Sequence, residues 1–145
     1  MQFDETIPTA PFISLIYRQH AKFLNEKVKD ENLSFGLYPL LITIYKNKGI
    51  IQEDLAEKYH LNESTIARNI KKLEDKGFIE RIPDKRKKII KITKKGKYTA
   101  EKVMDYDEEW DLEIKKNLTN EEYQTFIRLL KKISEDLLWI KPLMT

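Results

Sequence analysis

Asn62-Glu63-Ser64-Thr65-Ile66-Ala67-Arg68-Asn69-Ile70-Lys71-Lys72-Leu73-Glu74-Asp75-Lys76-Gly77 carries the start, the buried stripe and the stop of one helix in its own residues. Asn62 is a strong N-cap, because its side-chain oxygen can accept from a first-turn amide that has no partner inside the helix. Leu61 before the cap and Ile66 at the fourth helical position make a hydrophobic staple. With about 100° per residue, Ile66, Ile70 and Leu73 fall within about 60° of one another, so they face a core. Gly77 supplies the left-handed residue that ends the helix. The opposite side is expected to present Ser64, Thr65, Arg68 and Lys72, with Asn69 and Lys71 on its flanks.

Upstream, a short helix over Gln52 to Tyr59, with Leu55, Ala56 and Tyr59 inward, meets this one through the tight turn His60-Leu61-Asn62. Downstream the period changes from helical to alternating. Phe78-Ile79-Glu80-Arg81-Ile82 and Lys88-Ile89-Ile90-Lys91-Ile92 read as two strands, with Pro83-Asp84 opening the turn between them. Helix, tight turn, helix and hairpin in this order form the winged helix-turn-helix plan.

Longer helices flank that unit. One runs from about Pro11 to Asp30, and one from about Ser34 to Asn47, which Pro39 is expected to bend. Thr93 caps a long helix reaching about Asn117, weakened in its first turn by Gly96. Thr119 and Glu122 form a capping box, and Leu118 with Tyr123 its staple, ahead of a final helix carrying Phe126, Ile127, Leu130, Ile133, Leu137 and Leu138. The fold class expected is mainly α with a small β-hairpin wing. Residues 34–97 form the winged helix-turn-helix lobe, and residues 1–33 with 98–145 form a helical dimerisation region.

Charge singles out the same unit. The chain is +3 overall, yet residues 62–97 hold 13 Lys/Arg against 5 Asp/Glu. Such a local excess suits a polyanion. Ser and Thr can bond phosphates or base edges, Arg reads guanine with two bonds, and Asn suits adenine. Asp84-Lys85-Arg86-Lys87-Lys88 puts four cations at a hairpin tip that no core requires. Arg86 there can enter a minor groove while the lysines hold phosphates. Asp84 either orients Arg86 or simply initiates the turn. The DNA-facing set is therefore Ser64, Thr65, Arg68, Asn69, Lys72, Asp84, Lys85, Arg86 and Lys87, and Lys91, Lys94, Lys95 and Lys97 continue the basic strip.

These stretches resemble the MarR family of regulators. Gln52-Glu53-Asp54-Leu55-Ala56-Glu57 is similar to its Q-x-E-L-A-E helix. Leu73-Glu74-Asp75-Lys76-Gly77-Phe78-Ile79-Glu80-Arg81 is similar to its L-E-x-K-G-x-I-x-R ending, Asp84-Lys85-Arg86 to its wing-tip D-x-R, and Ile92-Thr93-Lys94-Lys95-Gly96 to its L-T-x-x-G. Three positions depart from the pattern. Ile51 stands where a Ser/Thr cap is frequent, His60 stands where glycine is usual, and the wing is shorter than the D-P-x-D-R-R form.

The resemblance implies a dimeric, sequence-specific regulator on pseudo-palindromic double-stranded DNA, with repression as the expected mode. Dimer pairing agrees with the large apolar groups of the flanking helices, including Phe12, Ile16, Trp110, Phe126, Trp139 and Ile140. The resemblance also implies release by a small aromatic or phenolic anion, for which Tyr17, Arg18 and His20 are candidate contacts. The alternative is a winged helix that docks proteins without reading DNA.

Other classes lack their residues. The chain has no cysteine, so no disulfide, thiolate metal site or thiol redox sensor, and no cofactor is expected. Its two histidines, His20 and His60, lie far apart, and no Gly-rich phosphate loop or nucleophile elbow is present, so an enzyme is not expected. The acidic start Met1-Gln2-Phe3-Asp4-Glu5 leads into no secretory apolar run, and apolar runs are short throughout. A cytoplasmic protein without membrane contact is the expectation.

Overall fold

The computed structural model describes residues 4–28, 33–59 and 61–137. Among the described residues six α-helices and one hairpin follow in order: α1 (Thr9–Lys27), α2 (Tyr38–Lys46), α3 (Gln52–Tyr59), α4 (Glu63–Asp75), β1 (Ile79–Asp84), β2 (Lys87–Ile92), α5 (Lys94–Lys115) and α6 (Asn120–Leu137). The mainly helical plan with a two-stranded wing is the one expected. His60, Leu138, Trp139 and Ile140 lie outside the described residues, as does Asp30 at the expected end of the first helix.

Punctuation residues set the boundaries of α4, α5 and α6. Asn62 accepts from the Thr65 backbone N–H at 2.7 Å, and Gly77 ends α4 with φ +81°. Thr93 accepts from the Gly96 amide at 3.1 Å. At α6 the capping box closes in both directions, Thr119 N–H to Glu122 at 2.9 Å and Glu122 N–H to Thr119 Oγ1 at 3.1 Å.

Pro39 does not bend a helix running from Ser34. The chain instead makes a 3-10 turn over Phe35–Leu37 and starts α2 afresh, with Pro39 in its first turn. The missing N–H of proline costs nothing there, whereas inside a helix it removes a hydrogen bond.

The hairpin is also longer than its apolar runs suggest. Pro83 and Asp84 belong to β1, paired with Lys88 and Lys87, and only Lys85 and Arg86 remain in the loop. A two-residue loop makes Asp84 and Lys87 the closing hydrogen-bonded pair. The alternation then leaves Pro83 at a position that needs no N–H toward β2.

One core joins α1 to α5 and the hairpin. Ile66, Ile70 and Leu73 of α4 are fully buried with Leu55 of α3, Leu41 and Ile44 of α2, Phe78, Ile79 of β1 and Ile90 of β2. Leu24 and Val28 at the end of α1, and Ala100 and Val103 on α5, join the same cluster. Ile51, lacking a hydroxyl to cap α3, forms a β-bridge with Ile89, while Ile90 N–H donates to Ile50 O at 2.9 Å. The departure at Ile51 thus adds an isolated bridge beside the two-stranded wing.

The start of α5 is locked onto the end of α4. Thr93 N–H donates to Phe78 O at 3.0 Å, and Lys95 Nζ donates to Lys76 O at 2.7 Å while lying over the Phe78 ring. A Cβ on Gly96 would stand 2.1 Å from Phe78 O, so this position admits no larger residue without displacement. Lys95 therefore serves the junction rather than extending a free basic strip.

Farther along, α5 meets α1 through Trp110, whose ring lies 5.0 Å from His20 and 5.5 Å from Phe23. Tyr123 on α6 donates to Asp111 at 2.8 Å and is the buried residue of that helix. Ile13, Ile16 and Tyr17 on α1 and Leu129, Leu130, Ile133 and Leu137 on α6 are exposed. Among the described residues no helix is long and apolar enough to cross a membrane.

Candidate nucleic-acid interface

The outer side of α4 follows from its buried stripe. Ser64, Arg68, Lys71 and Lys72 are exposed, as is Glu63 in the first turn, and Asn69 is half-buried. Glu63 suits the positive end of the helix dipole, which accounts for an acid at that point. Lys71 is ion-paired with Asp75 at 3.3 Å, one turn on, whereas no ion pair holds Lys72 among the described residues.

Thr65 corrects the expected face. It is 6% exposed and packed with the core side rather than presented with Ser64 and Arg68. Residue 65 lies about 100° from Ile66, at the margin of the stripe rather than opposite it. It also occupies the first turn, beside the connection from α3. From there Thr65 accepts from Arg68 Nη2 at 3.4 Å, so it bears on the interface through Arg68.

The hairpin presents the other half. Asp84, Lys85, Arg86, Lys87 and Lys88 are all exposed. Among the described residues no ion pair neutralises Lys85, Arg86 or Lys87, and none joins Asp84 to Arg86. Asp84 closes the ladder opposite Lys87, which favours its turn-forming role over an orienting one. Lys85 takes the tight turn with φ 60°, the left-handed region that favours glycine.

An ion pair fixes the hairpin base beside α4. Arg81 on β1 donates Nε to Glu74 Oε2 at 3.0 Å and Nη2 to Glu74 Oε1 at 2.7 Å. These bonds hold the Glu74 carboxyl below its ordinary pKa, and the charge of Lys88 acts in the same direction. Arg81 is raised by the same hydrogen bonding. Sequence reading had both residues inside a motif but not as partners; the clue was two opposite charges flanking the Gly77 turn.

The residues considered for an effector do not converge. Tyr17 and Arg18 are exposed, while His20 turns to α5, with Nε2 3.3 Å from Asp107 Oδ1. Arg18 and His20 are about 160° apart around α1, on opposite sides of the helix. On α5, Asp107 meets His20, Glu109 meets Lys27 at 3.6 Å, and Asp111 accepts from Tyr123. Among the described residues no group of three metal-ligating side chains converges.

Comparison with known proteins points to one family. The MarR family model matches residues 33–88, from the turn before α2 to the start of β2. The uncharacterized HTH-type transcriptional regulator YybA of Bacillus subtilis is 38% identical over 128 residues, covering 86% of this chain and 85% of the relative. The HTH-type transcriptional regulator BilQ of Clostridium symbiosum is 34% identical over 131 residues, covering 88% and 91%. A solved MarR family transcriptional regulator from Listeria monocytogenes, complexed with a 26mer DNA, superposes with a TM-score of 0.78 at 28% identity, covering 92% of this chain and 91% of that one.

Proposed function

Because the chain belongs to the MarR family of transcriptional regulators, we propose that it binds double-stranded DNA as a two-fold dimer and represses transcription there. In this reading α4 enters a major groove, with Arg68 at base edges and Ser64 and Lys72 on the backbone. Asn69, half-buried, reaches a base only along the rim of that face. Lys85, Arg86 and Lys87 at the hairpin tip take the adjacent phosphates and minor groove. Two protomers then read half-sites roughly 10–10.5 base pairs apart, so the operator is pseudo-palindromic. A protein seated on a promoter in this way excludes others from it, which is why repression is the mode assigned.

The observation that carries the reading is the exposed, unneutralised cation group at the tip beside a helix whose outer side is polar and charged. A protein-docking wing needs the reverse. Among the described residues no large apolar side chain of α4 is exposed. The dimer is supported by the uncovered apolar residues of α1 and α6. An aromatic anion as releasing ligand rests on Tyr17 and Arg18 alone, since His20 is engaged by Asp107 and Trp110.

Selection of bound duplexes from a random pool tests the proposal. Recovered duplexes are expected to share an inverted repeat, and Arg68→Ala should relax the preference at one base per half-site. Recovery of no common sequence by the wild-type chain would contradict sequence-specific binding.

A further inference from the structure

We infer that the cleft between the end of α2 and the hairpin binds a small aliphatic carboxylate. The cavity there has a volume of about 390 Å³. Pockets of roughly 300–1,000 Å³ with apolar walls and a few placed polar groups are those that hold small molecules. Its walls are Ile44 from α2, Ile82 from β1, and Ile89, Ile90 and Ile92 from β2. Lys48 and Lys91 complete the lining with Gly49. Branched aliphatic walls without an aromatic ring suit a flexible alkyl chain better than a stacked ring. Both lysines are exposed, and among the described residues neither is ion-paired, although Glu80 stands opposite Lys91 in the ladder. The cleft therefore offers an apolar body and a cationic rim, complementary to a carboxylate with an alkyl tail.

The geometry explains why this cleft persists. Gly49, at φ +78°, turns the chain out of α2 without a side chain, and nothing lies within 4 Å of where its Cβ would stand. Ile82 is 40% exposed beside it, an apolar surface that an occupant covers. The site lies within one chain and on the wing, and none of its lining residues belongs to α1, so it is separate from the residues considered for an aromatic anion. It does not depend on the DNA-binding proposal either, because its test contains no DNA.

The experiment titrates sodium octanoate into the full-length chain carrying ¹³C-methyl isoleucine and follows the methyl resonances. Saturable shifts confined to Ile44, Ile82, Ile89, Ile90 and Ile92 are expected, with Ile13, Ile16 and Ile133 unmoved. Lys48→Ala combined with Lys91→Ala should weaken octanoate about three- to fivefold, the scale of an exposed ion pair, and leave octan-1-ol unaffected. Ile82→Glu, at an exposed position that does not threaten the core, should abolish the shifts. Absence of saturation, shifts at Ile13, Ile16 or Ile133 instead, octanoate affinity unchanged in the lysine variant, or benzoate binding as tightly as octanoate would each overturn the inference.

Discussion

Arg81 grips Glu74 with two hydrogen bonds, at 3.0 and 2.7 Å, and so ties the strand that leads to the wing tip to the last turn of α4. Two surfaces proposed to share one duplex must keep a constant spacing, and a two-point bond fixes orientation where a single contact would leave a pivot. Arg81→Ala is expected to cost about 1 kcal/mol, near the upper end for partly exposed pairs. Chemical denaturation of the wild type and the variant checks it.

The same pair predicts a pH dependence. Glu74 is held below its ordinary value of 4.5, so its folded pKa is depressed relative to the unfolded chain. Its stabilisation is complete above the unfolded value and is lost as pH falls through the folded one. The stability gap between wild type and Glu74→Gln should therefore be constant near neutrality and shrink below pH 4.5. A gap that instead grew on acidification would contradict the pairing.

Gly96→Ala separates local propensity from packing. Helix propensity alone favours alanine by roughly 1 kcal/mol. A Cβ there would meet Phe78 O at 2.1 Å and Ile92 Cγ1 at 2.7 Å, so the α4–α5 junction must open. Destabilisation by about 3 kcal/mol is expected, read as a lower melting temperature. A more stable variant would show that the junction is not close-packed.

At the hairpin loop, Lys85 adopts φ 60°, which glycine takes without penalty. Lys85→Gly should be more stable than Lys85→Val by about 1–2 kcal/mol. Both substitutions remove the same cation, so their duplex affinities should fall together although their stabilities diverge. Parallel thermal melts and binding curves distinguish the two effects.

The uncovered residues Leu130 and Ile133 of α6 predict the assembly state. Sedimentation at micromolar concentration should give twice the chain mass of 17.3 kDa for the wild type. Leu130→Glu with Ile133→Glu should give the single-chain mass with secondary structure retained. A wild-type chain sedimenting as a monomer would remove the two-fold model.

The sequence was most informative where a local chemical need selects the residue. Asn62, Gly77, Thr93 and the Thr119–Glu122 box each answer an unpaired amide or a left-handed turn, and all four sit where reading them placed them. Long-range relations were less legible. Thr65 looked outward because helical periodicity gives angle but not which neighbour covers the margin of a stripe. Gly96 looked like a weakness because nothing local reveals how closely Phe78 approaches. Pro39 was read as a bend because a strong apolar pattern continued through it, while the backbone restarted instead. The cleft under the wing was invisible, since Ile82 and Ile44 are far apart in the chain and meet only after folding.

Salt dependence of duplex binding tests the central claim most directly. Log K against log salt should be linear for the wild type on its selected duplex, and Arg86→Ala should lower the magnitude of the slope by about one for the phosphate contact given up. An Arg86→Ala slope identical to that of the wild type would mean that the hairpin tip does not touch the DNA.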